Sequence, residues 1–231
     1  MTTDATFRSD VKVELVDFLG GDMRAVQAAR VSTKGAGSME EQKGGEGLIN
    51  YLMRDGHHVP FEHTVFTFYV EAPIFVTRQL LKHRISSISE ESGRYRELKG
   101  VFYVPADTRA VKQVGKTGDY VFAYDADAWK NAASEIRQAS EKSWKSYEWM
   151  LENGISKEVA RMVLPVNLYS SMYFTVNARS LMNIVKLRTS VVGSHPQYEI
   201  EQVGLAMEQI WKETSPLTYA AFEKTLGSES H

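Results

Sequence analysis

The stretch Thr64–Leu81, "TVFTFYVEAPIFVTRQLL", changes its period half-way. Phe66, Phe68 and Val70 alternate with Thr67, Tyr69 and Glu71, the two-residue spacing of a strand with one buried face. Pro73 then suits a first helical turn, where its missing N–H costs nothing, and the spacing predicts a helix over Pro73–Ile85. A strand that turns directly into a helix makes a rigid root for the segment after it. That segment, Lys82–Glu97, is "KHRISSISEESGRYRE": Lys82, His83, Arg84, Arg94 and Arg96 around four serines.

Outward from this root, "VKVELVDF" (Val11–Phe18) alternates as a strand, and "DMRAVQAARVS" after the Gly20–Gly21 turn reads as a helix. Met39–Arg54 is expected to be helical in part, and "VFYVP" (Val101–Pro105) to be a short strand before a polar stretch reaching about Asp125. From there the positions Ala132, Ile136, Ala139, Ser143, Tyr147 and Met150 step by three or four, which predicts one long helix at about 125–153, stopped at Asn153–Gly154. Ser156 is placed to cap a short helix ending before Pro165. "YSSMYFTVN" reads as a strand, with helices from Asn177 onward, over Pro196–Lys212 and over Pro216–Leu226. The expected class is α+β: a single mixed domain over 1–231, its small, mainly antiparallel sheet covered by helices.

Composition narrows the function. A chain of 231 residues, 43% hydrophobic and 24% charged, buries a substantial core. A formal charge of −2 argues against wrapping nucleic-acid phosphates, so any anion site is local. The N-terminal ten residues lack a secretory pattern, and the uncharged window Met162–Ala178 carries Pro165, Asn167 and Asn177, poor for a membrane span. The expectation is therefore a cytoplasmic protein with no membrane and no nucleic-acid partner. With no cysteine in the chain, disulfides, thiolate zinc sites and a thiolate nucleophile are excluded.

Several motifs fail on inspection. "ADTRAVKQVGKT" approaches a phosphate loop, but Ala110 holds its first glycine position, and in "GGEGLIN" Asn50 stands where a dinucleotide fingerprint needs glycine. "HHVPFEH" offers His57, His58, Glu62 and His63, but Pro60 breaks any helical ligand spacing, so no metal site is assigned. On the predicted helix, Arg78 and Lys82 lie four apart beside Gln79 and His83. Like charges at that spacing repel by a few tenths of a kcal/mol, which solvent tolerates and an anion relieves. Spacing alone leaves a solvated face and an anion site both open. Further on, Arg179 and Asn183 share one helical face, while Arg188 falls in line with Asn177, Leu181 and Ile184, an arginine on an apolar stripe.

Together these residues resemble the flavin-dependent thymidylate synthases. That family's signature, Arg-His-Arg, two residues, Ser, one residue, Asn-Glu, one residue, Ser, one residue, Arg-Tyr, is matched by Lys82-His83-Arg84, Ser87, Ser89-Glu90, Ser92 and Arg94-Tyr95, with lysine and serine at two positions. "AARVS", "HHVPFEH", "APIFVTRQ", "RMVLPVNLY" and "VNARSLMN" follow the same order, and Thr189–Ser194 is a longer segment than the family leads one to expect. The resemblance implies a homotetramer with sites shared between subunits. It also implies FAD as cofactor, NADPH as reductant, 5,10-methylenetetrahydrofolate as carbon donor and dUMP as substrate. It places the flavin at Ser32, His57, Lys82, His83, Arg84, Asn177, Arg179, Asn183 and His195. The nucleotide falls to Gln79, Glu90, Ser92, Gly93, Arg94, Arg161 and Arg188, with Arg188 and Ser92 nearest the chemistry. Two readings from other classes compete: a nucleic-acid module stacking on Tyr95, and a histidine-dependent metal phosphohydrolase.

Overall fold

A computed structural model describes residues 4–40, 44–116, 119–192 and 194–228. The elements run β1 (Thr6–Arg8), β2 (Lys12–Leu19), α1 (Asp22–Lys34), α2 (Glu46–Arg54), β3 (Val65–Pro73), α3 (Ile74–Leu80), β4 (Ser87–Glu90) and β5 (Val101–Tyr103). They continue with β6 (Lys112–Lys116), β7 (Asp119–Ala123), α4 (Ala126–Glu152), α5 (Lys157–Ala160), β8 (Tyr169–Asn177), α6 (Ala178–Arg188), α7 (Tyr198–Thr214) and α8 (Pro216–Ser228). The class is α+β, as expected. A four-stranded sheet has the order β2-β3-β8-β4, and β1 pairs with β5 and β6 with β7 in two small ladders. The β1–β5 pair is parallel.

Two compact units share the chain: one takes the residues up to Asp10, Ala72–Thr77 and Glu90–Ser170, the other Val11–Glu71, Arg78–Ser89 and everything from Ser171. In the first, Phe102, Trp144, Tyr147, Ala160 and Leu168 form a buried cluster against which Phe7, Ile74 and Leu98 pack. Asp125 caps α4 by accepting from the Ala128 N–H at 3.0 Å, and this sets the start of the long helix. The buried stripe of α4 is Ala133, Ser140, Trp144 and Tyr147. Tyr147 lies on the expected line, but Ala133, Ser140 and Trp144 are buried where that line placed Ala132, Ala139 and Ser143, each one residue further along the helix. The polar stretch before α4 is a hairpin, β6 antiparallel to β7. Its strands are almost wholly exposed, so no buried stripe marks them in the sequence.

In the second unit, β3 buries Phe66, Phe68 and Val70 as its alternation predicts, and it pairs antiparallel with β2, with a bulge between Leu15 and Asp17. The buried faces of α6 (Leu181, Ile184, Val185), α7 (Ile200, Val203, Trp211) and α8 (Ala221, Phe222) complete this core. Asp22, opening α1, accepts from the Leu217 and Thr218 N–H groups at 3.0 and 2.9 Å and so caps the start of α8.

One expected element is shorter than its periodicity implied. The helix after Pro73 ends at Leu80, not Ile85. The Lys82 and His83 N–H groups reach back three residues, to Gln79 O and Leu80 O, at 3.3 and 3.0 Å. The Ser86 hydroxyl then takes the His83 carbonyl at 2.6 Å, so the chain leaves the helical path in a tight turn. Ile85, expected on the apolar face, is exposed. Lys82 and His83 are thus presented by a turn, not by a helical stripe.

Candidate functional site

That turn opens onto a cavity of about 880 Å³ in the second unit, within the range of cofactor sites. Lys82, His83 and Arg84 form one wall, and Asn177, Arg179, Asn183 and Lys186 form another. Arg54 comes from the end of α2, and His58 and Glu62 from the segment between α2 and β3, while Met53, Met182, Phe222 and Leu226 make an apolar floor. Five lining side chains carry a fixed positive charge, Arg54, Lys82, Arg84, Arg179 and Lys186, against one carboxylate, Glu62. Glu62 accepts from Arg179 at 2.5 Å and Arg54 pairs with Asp55, whereas Lys82 and Arg84 have no partner among the described residues. A polyanionic ligand suits such a wall, and a flat ring suits the floor.

Each wall has a local cause. Asn177 ends β8, caps α6 and lines the cavity; its Oδ1 accepts from the Ser180 N–H at 2.8 Å, which leaves the amide N–H₂ as its remaining donor. Arg179 and Asn183, one turn apart on α6, both line it, as their shared face predicted. His58 is held below its ordinary pKa of 6.5, first by burial and then by Arg179.

His83 is buried at 8% exposure, and burial, then the Arg188 guanidinium, push its pKa from 6.5 to about 4. It is therefore neutral near pH 7. Arg188 Nε donates to His83 Nε2 at 3.1 Å, and its Nη2 reaches the Gln79 carbonyl at 3.5 Å, the outer limit of a hydrogen bond. Gln79 in turn donates its amide to Gln197 Oε1 at 2.6 Å, just before α7. Gln79, His83 and Arg188 are thus brought together. Ser32, His57 and His195 are exposed and do not line the cavity: the Ser32 hydroxyl bonds the Ala29 carbonyl at 3.1 Å, and His57 sits edge-on to Tyr51.

The first unit gathers the other expected nucleotide residues. The Arg94 N–H donates to Ser92 Oγ at 3.3 Å, and the Ser92 carbonyl accepts from the Tyr95 and Arg96 N–H groups, winding a tight turn with Gly93 at its centre. A Cβ on Gly93 would lie 2.8 Å from Leu98 Cδ1 and 3.2 Å from Arg161 Cδ, so only glycine leaves Arg161 its place beside the turn. Arg94 donates its Nε to Glu158 at 3.0 Å. Glu90 accepts from the Ser170 hydroxyl at 2.6 Å and makes no ion pair among the described residues; Arg96 turns to Glu91 instead.

Sequence reasoning assigned no role to Arg54, Lys186, Gln197 or the α8 floor, Phe222 and Leu226. None sits in a recognisable motif, and α8 reads simply as an apolar helix. Proximity in the fold is the only signal for them.

Known proteins are similar to this chain over almost its whole length. The family model described as thymidylate synthase complementing protein matches residues 14–217. A flavin-dependent thymidylate synthase of Streptomyces avermitilis is 50% identical over 227 residues, covering 94% of this chain and 92% of that protein. One of Kosmotoga olearia is 46% identical over 211 residues, covering 91% and 89%. Among solved structures, the UMP/dUMP methylase PolB of Streptomyces cacaoi, bound with 5-Br dUMP, superposes with a TM-score of 0.88 at 46% identity, covering 94% of this chain and 96% of that one. The family model and the relatives each span most of the chain, which belongs to the thymidylate synthase complementing protein family, the flavin-dependent thymidylate synthases.

Proposed function

We propose that this enzyme methylates dUMP to dTMP, with methylenetetrahydrofolate as carbon donor and NADPH-reduced FAD as hydride source, and without a protein nucleophile. Overall, dUMP, methylenetetrahydrofolate, NADPH and a proton give dTMP, tetrahydrofolate and NADP⁺. The observation that carries the reading is the cavity wall of five cations and one carboxylate above an apolar floor. It fits the pyrophosphate and ring system of a flavin dinucleotide: Lys82, Arg84 and Arg179 would hold the phosphates, and Asn177 and Asn183 would supply directional bonds. Bound there, the flavin supplies the hydride.

The remaining tasks fall to this chain's own side chains. Arg94 and Arg161, with the Ser92–Gly93 backbone, are suited to the phosphate monoester. Arg188, whose described partners are neutral acceptors, keeps its full charge for the negative charge that develops on an activated uracil ring. Among the described residues no carboxylate or imidazole is hydrogen-bonded to Ser92: its oxygen accepts from a backbone N–H, and Glu90 is engaged with Ser170. Ser32, His57 and His195 are assigned to a flavin shared between copies in a homotetramer. Exposed apolar side chains such as Leu187 and Leu205 are available to bury in such an assembly.

The test is a titration of the purified protein with FAD, followed by NADPH, methylenetetrahydrofolate and dUMP with dTMP measured. Enzyme-dependent dTMP, with no stable protein–nucleotide adduct in the intact mass when 5-fluoro-dUMP is present, is expected. Absence of FAD binding or of dTMP would overturn the reading. UMP belongs in the same assay, since the Streptomyces cacaoi relative is described as acting on both nucleotides.

A further inference from the structure

The contact between His83 and Arg188 has a polarity that charge alone does not dictate. A guanidinium has donors only, so the imidazole nitrogen facing it must be a bare acceptor, with the proton on Nδ1. An imidazolium cannot make this bond, and it would set two cations side by side. The charged groups around His83 point the same way: Arg188 from α6, Lys82 and Arg84 flanking it in the chain, Arg179 and Lys186 across the cavity, and Glu62 as the one carboxylate, itself bonded to Arg179.

We propose that His83 is a positioning residue, a neutral imidazole whose Nε2 accepts from Arg188 Nε and so aims the guanidinium at the pyrimidine while leaving its charge undivided. A carboxylate at the same place would hold Arg188 as firmly, but would neutralise it. A donor such as lysine would repel it. Histidine buried at 8% exposure supplies acceptance without charge. The lone pair of Nε2 is then committed to Arg188, so His83 serves the reaction through that residue and not by offering an acceptor to the flavin. Gln79 belongs to the same device, since its carbonyl is the second neutral acceptor and its side chain is tied down by Gln197. The inference rests on the proposed reaction for its consequence, and on the observed bond for its existence.

Two measurements separate these. In uniformly ¹⁵N-labelled protein, long-range ¹H–¹⁵N spectra of the histidines should show His83 with Nδ1 protonated and Nε2 bare, unchanged between about pH 8 and 5.5, and Arg188→Leu should shift its resonances and raise its pKa. A proton on Nε2, or ordinary titration near 6.5, would sink the inference whatever the enzyme does. In turnover, His83→Gln keeps an acceptor and His83→Leu removes it. With FAD retained in both, kcat should fall roughly a hundredfold or more in the leucine variant and about tenfold or less in the glutamine variant, with KM for dUMP little changed in either. Equal losses in the two variants, or loss of FAD as the whole effect, would overturn it. If the leucine variant does not fold, the glutamine variant and the wild-type spectra still decide. A wild-type protein that makes no dTMP but shows bare Nε2 would refute the proposed function and leave the bond standing.

Discussion

Burying His83 beside an arginine has a thermodynamic signature. With a folded pKa near 4 against an ordinary 6.5, the fold favours the neutral imidazole. The stabilising contribution is complete above about pH 6.5 and is lost as the pH falls through about 4, since the unfolded chain takes up the proton first. The difference corresponds to at most about 3 kcal/mol. Urea unfolding between pH 7 and 4 should therefore show a smaller loss of stability in His83→Gln than in the wild type, and parallel curves would contradict the burial. Gly93 tests the other cluster. Gly93→Ala pushes on the side chains of Leu98 and Arg161, both able to shift, so stability should change by less than about 1 kcal/mol. Displacing Arg161 should nonetheless weaken dUMP binding by about tenfold or more, with FAD binding untouched, as paired titrations of the two ligands would reveal.

Among the elements, α4 depends on a close approach of backbone to indole. A Cβ at Gly100 would stand 2.6 Å from Trp144 Cε2 and 2.9 Å from Cδ2, ring atoms locked in the buried cluster with Phe102 and Tyr147. Gly100→Ala should destabilise the protein by about 1–3 kcal/mol by overpacking, read as a lower midpoint in urea with an unchanged slope. A neutral substitution would show that Trp144 can move. The turn after α3 makes a contrasting case. Its periodicity continued through Lys82 and Ile85, yet backbone bonds three residues back and the Ser86 hydroxyl end the helix at Leu80. Local propensity is weak beside such competing bonds.

Across the whole molecule, each compact unit is assembled from three chain segments, so neither is a contiguous piece that could be excised. The expected flavin residues lie in the second unit, whereas Glu90, Ser92, Gly93, Arg94 and Arg161 lie in the first. If active sites are shared between copies, as proposed, Arg179→Ala and Arg161→Ala should each be inactive alone but regain activity when unfolded together and co-refolded. Mixed oligomers would then contain some sites with both arginines intact. No recovery in oligomers demonstrably mixed by mass would place each site within one chain.

Much of the fold and of the site is written in the linear sequence. Alternation at Phe66, Phe68 and Val70, the long period before Asn153, and the shared face of Arg179 and Asn183 all rest on local geometry, which a linear sequence carries in full. The signature around His83 and Ser92 was equally plain, since its meaning lies in spacing along the chain. The exposed hairpin β6–β7 was not, because strands with no buried face leave no alternation to detect. Nor was the partnership of His83 with Arg188, 105 residues apart, or of Gln79 with Gln197, 118 apart. Those bonds exist because the ends of α3 and α6 and the start of α7 meet around one core. Which nitrogen accepts, and which charge is left free, follows from that meeting alone.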